Sequence, residues 1–458
     1  MILWGGRFRE KPDERMIEFS SSISFDKIFA KYELEIDRVW VSMLNRIGIV
    51  KDDELKKFYK AFDRVEMEIE KGIFEYRGFE DIHSAIDERV KELLGENISG
   101  KLTTGRSRND IVVTEFRMYL RDKVNYINGL IKGVQRSLLE KAQEEKDKIM
   151  PVFTHLRVAM PAKVSHYLLS YFWMFESARK SFMFSLEDIL KLPLGSGACA
   201  GTTIDIDRDF LKMELGFKEI IPNSIVAVSS RDFLLKYLFS CMILYLHLSR
   251  FSEDLIIYSS EGFSFVEIPE RFSTGSSLMP QKRNPDFLEL LRGKSARAIS
   301  VLSSLSTVLK GLPLSYNRDL QEDKKDTFYI TEELIKILEL LPNFIKELRF
   351  NEVRMRELLR KGYAQATFLA EYLATKGIPY RKAHSIVGNI VIYCERNGKS
   401  IDELSLDELK NFSDVFKEDV FPYLSIDKGV ELLKNEGTSG TIPLFHQIKN
   451  AYRVLERE

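Results

Sequence analysis

Proline is absent from two long stretches of this chain, between Pro12 and Pro151 and between Pro222 and Pro269, and both stretches are rich in helix formers. Without proline, a helix can run on without the lost amide donor and ring clash that would break it. From Leu234 the apolar residues continue at Tyr237, Leu238, Cys241, Leu244, Tyr245, Leu248, Phe251 and Leu255. Steps of three and four gather these side chains on one helical face. Similar spacing over 111–145, 161–190, 287–309 and 326–348 predicts five long helices in succession, the pattern of a helix bundle. Period-two alternations are few, and no Asn-Gly or Asp-Gly pair joins two apolar runs, so strands are not expected.

The expected fold is therefore all-α. An elongated central bundle over 105–352 is flanked by two smaller, mostly helical domains, 1–104 and 353–458. Residues 233–248 are apolar around most of the helical circumference. Such a helix needs cover on every side, which predicts that the bundle packs against other copies of the chain.

Charge restricts the partners. Lys plus Arg number 68 against 69 Asp plus Glu, a net charge of −1, which excludes a general nucleic-acid or membrane-binding surface but leaves room for a local basic pocket. Cys199, Cys241 and Cys394 are too far apart for a CxxC pair or a metal cluster, as expected in a reducing cytoplasm. The N-terminal segment lacks the apolar core of a signal peptide, and no unbroken apolar run is long enough to span a bilayer.

Chemistry is expected where polar segments interrupt the helical pattern. Residues 273–286 hold Ser276 and Ser277 after Gly275, then Lys282, Arg283 and Asn284 between Pro280 and Pro285. Glycine and two prolines exclude an ordinary helix, leaving a loop of hydroxyls, cations and an amide suited to a small anion. Thr103–Asp110 precedes a long helix; Ser107, Asn109 or Asp110 can cap it, while Arg106 and Arg108 beside its free amides suit a carboxylate. His155 follows Pro151, neighbours Thr154 and precedes a predicted helix, a setting for an acid or base. The turn Leu194-Gly-Ser-Gly-Ala198 lacks the lysine and spacing of a phosphate loop and reads as tight backbone packing. At 229–232, Asp232 can cap the following helix and Arg231 can reach a ligand. Tyr316, Gln321 and Lys324 can line a pocket for an amino-acid group. GxGxxG, GxxxxGK[ST], HExxH and GxSxG are all missing, so no cofactor or metal is expected. What remains suits proton transfer beside a carboxylate, with cations steadying the developing charge.

The run Gly275-Ser-Ser-Leu-Met-Pro-Gln-Lys-Arg-Asn-Pro-Asp286 resembles the signature loop of the fumarase/aspartase superfamily. Seven further segments resemble the argininosuccinate lyase branch: Leu3-Trp-Gly-Gly-Arg-Phe8, Ser22-Ile-Ser-Phe-Asp26, Asp81-Ile-His-Ser-Ala85, Thr104–Asp110, Thr154-His-Leu156, Leu192–Ala198 and Tyr316–Asp323. The similarity continues more weakly through Ala366–Ala370 and Ala383–Gly388. The resemblance implies cleavage of argininosuccinate to fumarate and L-arginine without a cofactor, by a homotetramer whose sites are each built from three subunits. It implies Ser276 and His155 as the acid/base pair, Lys282 and Asn284 as groups that steady the dianionic intermediate, and Glu289 as the carboxylate that orients His155. Ser22, Arg108, Asn109, Thr154, Tyr316, Gln321 and Lys324 are implied as substrate contacts, with His83 and Arg231 in the same shell. The chain departs from the family at Ile111, Arg157 and Met160, where glutamine is usual, and at Thr202–Asp205; none of these is a proposed catalytic group.

Overall fold

A computed structural model describes residues 13–456; the expected segment Leu3–Phe8 lies outside them. The long helices are Arg108–Glu144, Val164–Ile189, Asp232–Ser259, Asp286–Leu309 and Lys325–Glu347. All five predicted helices are thus present, with ends shifted by a few residues. The described residues pack as two compact units, one of 13–128, 179–243 and 296–335, the other of 129–178, 244–295 and 336–456. Each long helix contributes residues to both units, so neither unit is a single continuous stretch of sequence.

The first unit is organised around aromatic rings supplied by separate segments. Phe29 lies 5.8 Å from Phe116 and 5.3 Å from Phe328, while Phe116 meets Phe233 edge-on at 6.1 Å. These rings fasten three of the long helices to the turn at Lys27–Phe29. From that turn the helix Ala30–Arg46 runs on with a buried face of Leu34, Ile36, Trp40, Val41 and Leu44. The helix Ile82–Leu94 starts at Asp81, whose carboxylate accepts from the Ser84 amide at 2.7 Å, and ends at Gly95 with φ 75°.

The second unit contains the structural surprise, an antiparallel hairpin of Ile149–Thr154 and Arg157–Lys163. Its turn residues, His155 and Leu156, both take left-handed φ, 53° and 55°. Two consecutive positive φ values make the turn that matches strand twist, which glycine and asparagine normally supply. The sequence lacks those residues here, so the expectation that His155 leads directly into a helix is corrected: it sits at a hairpin tip. Phe153 anchors the hairpin against Phe263 at 5.6 Å and Tyr258 at 6.0 Å. A second, two-pair hairpin closes residues 274–284, pairing Thr274 with Asn284 and Gly275 with Arg283. Phe272 and Phe287 meet at 5.4 Å beneath it, and Phe287 packs on Phe344 at 5.0 Å. Further along this unit, Leu369, Leu373, Val387, Ile390 and Cys394 share a buried hydrophobic core.

Among the described helices, Asp232–Ser259 is long and apolar enough to cross a membrane by length and composition, although half of its most apolar window is buried within the chain. On this helix Phe239 is 47 % and Leu246 38 % exposed. Seven residues apart, they share one face.

Candidate active site

A cleft with a cavity volume of ≈ 270 Å³ opens in the first unit. It brings together seven of the residues singled out in the sequence: Ser22, His83, Arg108 and Asn109, joined by Tyr316, Gln321 and Lys324. Three stretches far apart in the chain converge there, near the start of the structure, around 80–112, and at 316–324.

Local structure fixes each wall. Arg108 begins a long helix whose first turn is capped by Ser107, with the Asn109 amide donating to Ser107 Oγ at 3.3 Å. Asp110 completes the cap by accepting from the Ser107 amide at 3.0 Å, and also accepts from the amides of Gly195 at 2.9 Å and Gly197 at 2.8 Å. Burial lifts the Asp110 carboxyl to about 6 despite these three amides. The Gly195 turn thus serves packing, as expected: a Cβ on Gly197 would stand 2.7 Å from the Gly201 carbonyl. The same turn accepts a hydrogen bond from Asn109 Nδ2 at the Ala198 carbonyl, 3.0 Å away.

On another wall, Ser22 donates to Asp26 at 2.5 Å, and Gln321 donates through Nε2 to the Ser20 carbonyl at 3.1 Å. Arg318, which its sequence setting does not single out, also lines the cleft and pairs with Glu80. Arg108 stands 3.6 Å from Asp81 and 3.5 Å from Asp87, so neither is a close bidentate pair. Lys324 donates to Asp323 at 2.7 Å and to the Leu320 carbonyl at 3.2 Å. An ammonium has three donors, which leaves one for a ligand. Burial raises the Tyr316 phenol, keeping it a neutral donor.

His83 forms the floor, 2 % exposed, with Nδ1 2.8 Å from Glu33 Oε2. Burial pulls its imidazole down, but the charge and hydrogen bond of Glu33 outweigh burial and the net shift is upward. Glu33 is pushed up by burial but pulled further down by His83, so it stays ionised. The helical pattern of 30–46 hid Glu33, because the sequence gives no sign that a core position carries a charge.

Arg231 differs from its expected role and does not line the cleft. It is 2 % exposed and its Nε donates to Asp323 at 2.5 Å, while Nη1 reaches the carbonyls of Val228 and Ser230. Its capping neighbour is Ser230, whose hydroxyl accepts from the Asp232 amide at 3.2 Å.

The remaining candidates belong to the second unit. Thr154 and His155 are exposed at the first hairpin's tip. Ser276 and Lys282 lie in the turn of the second hairpin, and Asn284 and Glu289 line a groove beside its base. Among the described residues, no hydrogen bond or ion pair joins the His155 ring to Ser276, Lys282 or Glu289. Ser276 Oγ accepts from the amides of Leu278 at 3.2 Å and Met279 at 3.0 Å. Two amide donors aimed at one hydroxyl oxygen favour negative charge on it.

The family described as Lyase matches residues 6–300, and the family described as Argininosuccinate lyase C-terminal matches residues 363–431. Relatives named argininosuccinate lyase include one from Sulfurihydrogenibium sp., 44 % identical over 99 % of each chain. Another, from Carboxydothermus hydrogenoformans, is 41 % identical over 99 % of this chain and 100 % of its own. Among solved structures, an EDDS lyase in complex with formate superimposes with a TM-score of 0.84 at 25 % identity, covering 96 % of this chain and 88 % of that one. A class II fumarase from Schistosoma mansoni shares the fold, with a TM-score of 0.74 at 19 % identity over 90 % of this chain and 92 % of its own.

Proposed function

Because this chain belongs to the argininosuccinate lyase family and has that family's lyase activity, we propose that it cleaves argininosuccinate to fumarate and L-arginine using the His83 cleft to hold the substrate. The full-length identity to enzymes of that name carries the reading. The cleft supports it, because arginine, lysine and histidine donors face a small cavity suited to a substrate with several carboxylates.

In this reading Ser276 Oγ removes the proton from the substrate carbon β to the departing nitrogen. The electron pair passes first into the adjacent carboxylate, where Lys282 and Asn284 steady the added charge, and then forms the carbon–carbon double bond as the carbon–nitrogen bond breaks. The nitrogen leaves protonated by His155, directly or through a water, and Glu289 orients that imidazole. A serine hydroxyl is a weak base, and the amides of Leu278 and Met279 supply part of the activation by favouring its alkoxide. Thr154 contributes a hydroxyl beside His155, and Arg231 acts through Asp323 on Lys324.

The active unit is a homotetramer in which the cleft, the His155 hairpin and the Ser276 loop of one site come from three subunits. Exposed apolar side chains on the bundle helices support this assembly: Phe239 and Leu246 on one, Leu290 and Ile299 on another. Release of fumarate, followed by its ultraviolet absorbance, tests the substrate. Argininosuccinate should give the signal and adenylosuccinate should not; the opposite result rejects the reading.

A further inference from the structure

Behind the cleft lies a cluster of charge that the proposed chemistry does not use. Glu33, Asp37 and Glu115 have fully buried side chains, and those of His83 and Arg106 are 3 % and 2 % exposed. Arg106 donates to Asp37 at 2.6 Å, and His83 Nδ1 lies 2.8 Å from Glu33 and 3.5 Å from Glu115. With every carboxylate ionised, three buried anions would face two cations. A buried charge without a partner is costly enough that the group takes up or gives away a proton instead.

Hydrogen bonding identifies the carboxyl that carries the proton. Arg106 serves one oxygen of Asp37 and His83 one oxygen of Glu33, each leaving a second oxygen without a donor, whereas neither oxygen of Glu115 receives a hydrogen bond from any described residue. The second oxygen of Glu33, Oε1, also lacks a donor. Glu115 lies within 4.8 Å of Glu33, close enough for one proton on it to supply a donor to Glu33, and that proton leaves these five groups with two anions and two cations.

We infer that Glu115 is a neutral carboxylic acid that donates to Glu33, fixing Glu33 against His83 so that a cationic imidazole faces the cleft. Burial, followed by the charge of Glu33, raises Glu115 well above the ordinary carboxyl range, in keeping with this assignment. The other charged groups acting on the cluster are Asp26, Asp81, Asp87 and Arg108. Glu115 is thus a positioning residue, and its effect on turnover rests on the cleft being the substrate site. The donor atoms of Glu33, His83 and Glu115 lie within 4.8 Å of one another, which would also suit a cation. Against that, the 2.8 Å contact of His83 with Glu33 is a direct hydrogen bond, shorter than the roughly 3.3 Å that separates two ligands on a tetrahedral metal with legs of about 2 Å.

Infrared difference spectroscopy of the whole protein reads the proton without reference to activity. A protonated-carboxyl C=O band is expected at neutral pH and should disappear in Glu115→Gln. In the kinetic arm, Glu115→Leu should raise KM for argininosuccinate about tenfold with a smaller change in kcat, and Glu115→Gln, whose amide can still donate, should restore most of it. The inference is overturned if the band is absent from the wild type, if it survives in Glu115→Gln, if the glutamine variant fails as the leucine variant does, or if the purified protein holds a stoichiometric metal that Glu115→Gln releases.

Discussion

Arg231 reaches Asp323 and not the cleft: its Nε donates to Asp323 Oδ2 at 2.5 Å, while the other oxygen of Asp323 accepts from Lys324 at 2.7 Å. The side chains of Arg231 and Asp323 are 1 % and 0 % exposed, so the arginine acts on the cleft by fixing the carboxylate that aims Lys324.

Asp323→Asn should therefore leave two buried cations without a counter-charge. A loss of roughly 3–5 kcal/mol of stability is expected, with a raised KM because Lys324 is no longer held. Thermal unfolding and steady-state kinetics on the same preparation check both effects. Arg231→Met should be milder in KM, since Lys324 keeps its partner.

Gly197 couples packing to the site. Its φ is +58°, and a Cβ there would stand 2.7 Å from the Gly201 carbonyl. Gly197→Ala should lower stability by about 2 kcal/mol or more. It should also weaken substrate binding, because the turn it distorts is bonded to both Asn109 and Asp110.

The Glu33–His83 pair predicts a pH window. Glu33 is depressed below its ordinary 4.5, so its stabilisation is complete above pH 4.5 and is lost as pH falls through the depressed value. His83 is raised above its ordinary 6.5, so its stabilisation is complete below pH 6.5 and is lost as pH rises through the raised value. The stability difference between wild type and His83→Asn should be greatest between pH 4.5 and 6.5 and shrink on either side, as measured by denaturant unfolding.

A shared site predicts recovery between inactive variants. Lys324→Met damages the cleft and Ser276→Ala the loop. When the two are unfolded together and refolded, mixed tetramers should contain sites that take an intact cleft and an intact loop from different chains. Recovery of fumarate release supports the shared site; no recovery in mixed tetramers of normal size contradicts it.

The long helices were legible because a period of three and four residues leaves a repeated trace in sequence. The hairpin at 149–163 left none, since its turn places non-glycine residues at positive φ, His155 at 53° and Leu156 at 55°, held by packing such as that of Phe153. Five of the seven cleft residues were legible from polar segments that interrupt the helical pattern, and Ser22 and His83 from the resemblance, but their partners in the cleft were not. Arg231 shows the difference. Its charge and place at a helix start suggest a ligand contact, yet the carboxylate that claims it lies 92 residues away. Glu33 and Glu115 were hidden for a related reason, because each occupies a core face on a helix where an apolar residue is expected.

In the proposed mechanism Ser276 abstracts the proton from a substrate held in the cleft. The most direct measurement is fumarate release from argininosuccinate by Ser276→Ala, paired with calorimetric binding of the same substrate. A fall in kcat of about 10²–10⁴ with affinity largely kept is expected. Turnover near the wild-type rate would contradict it.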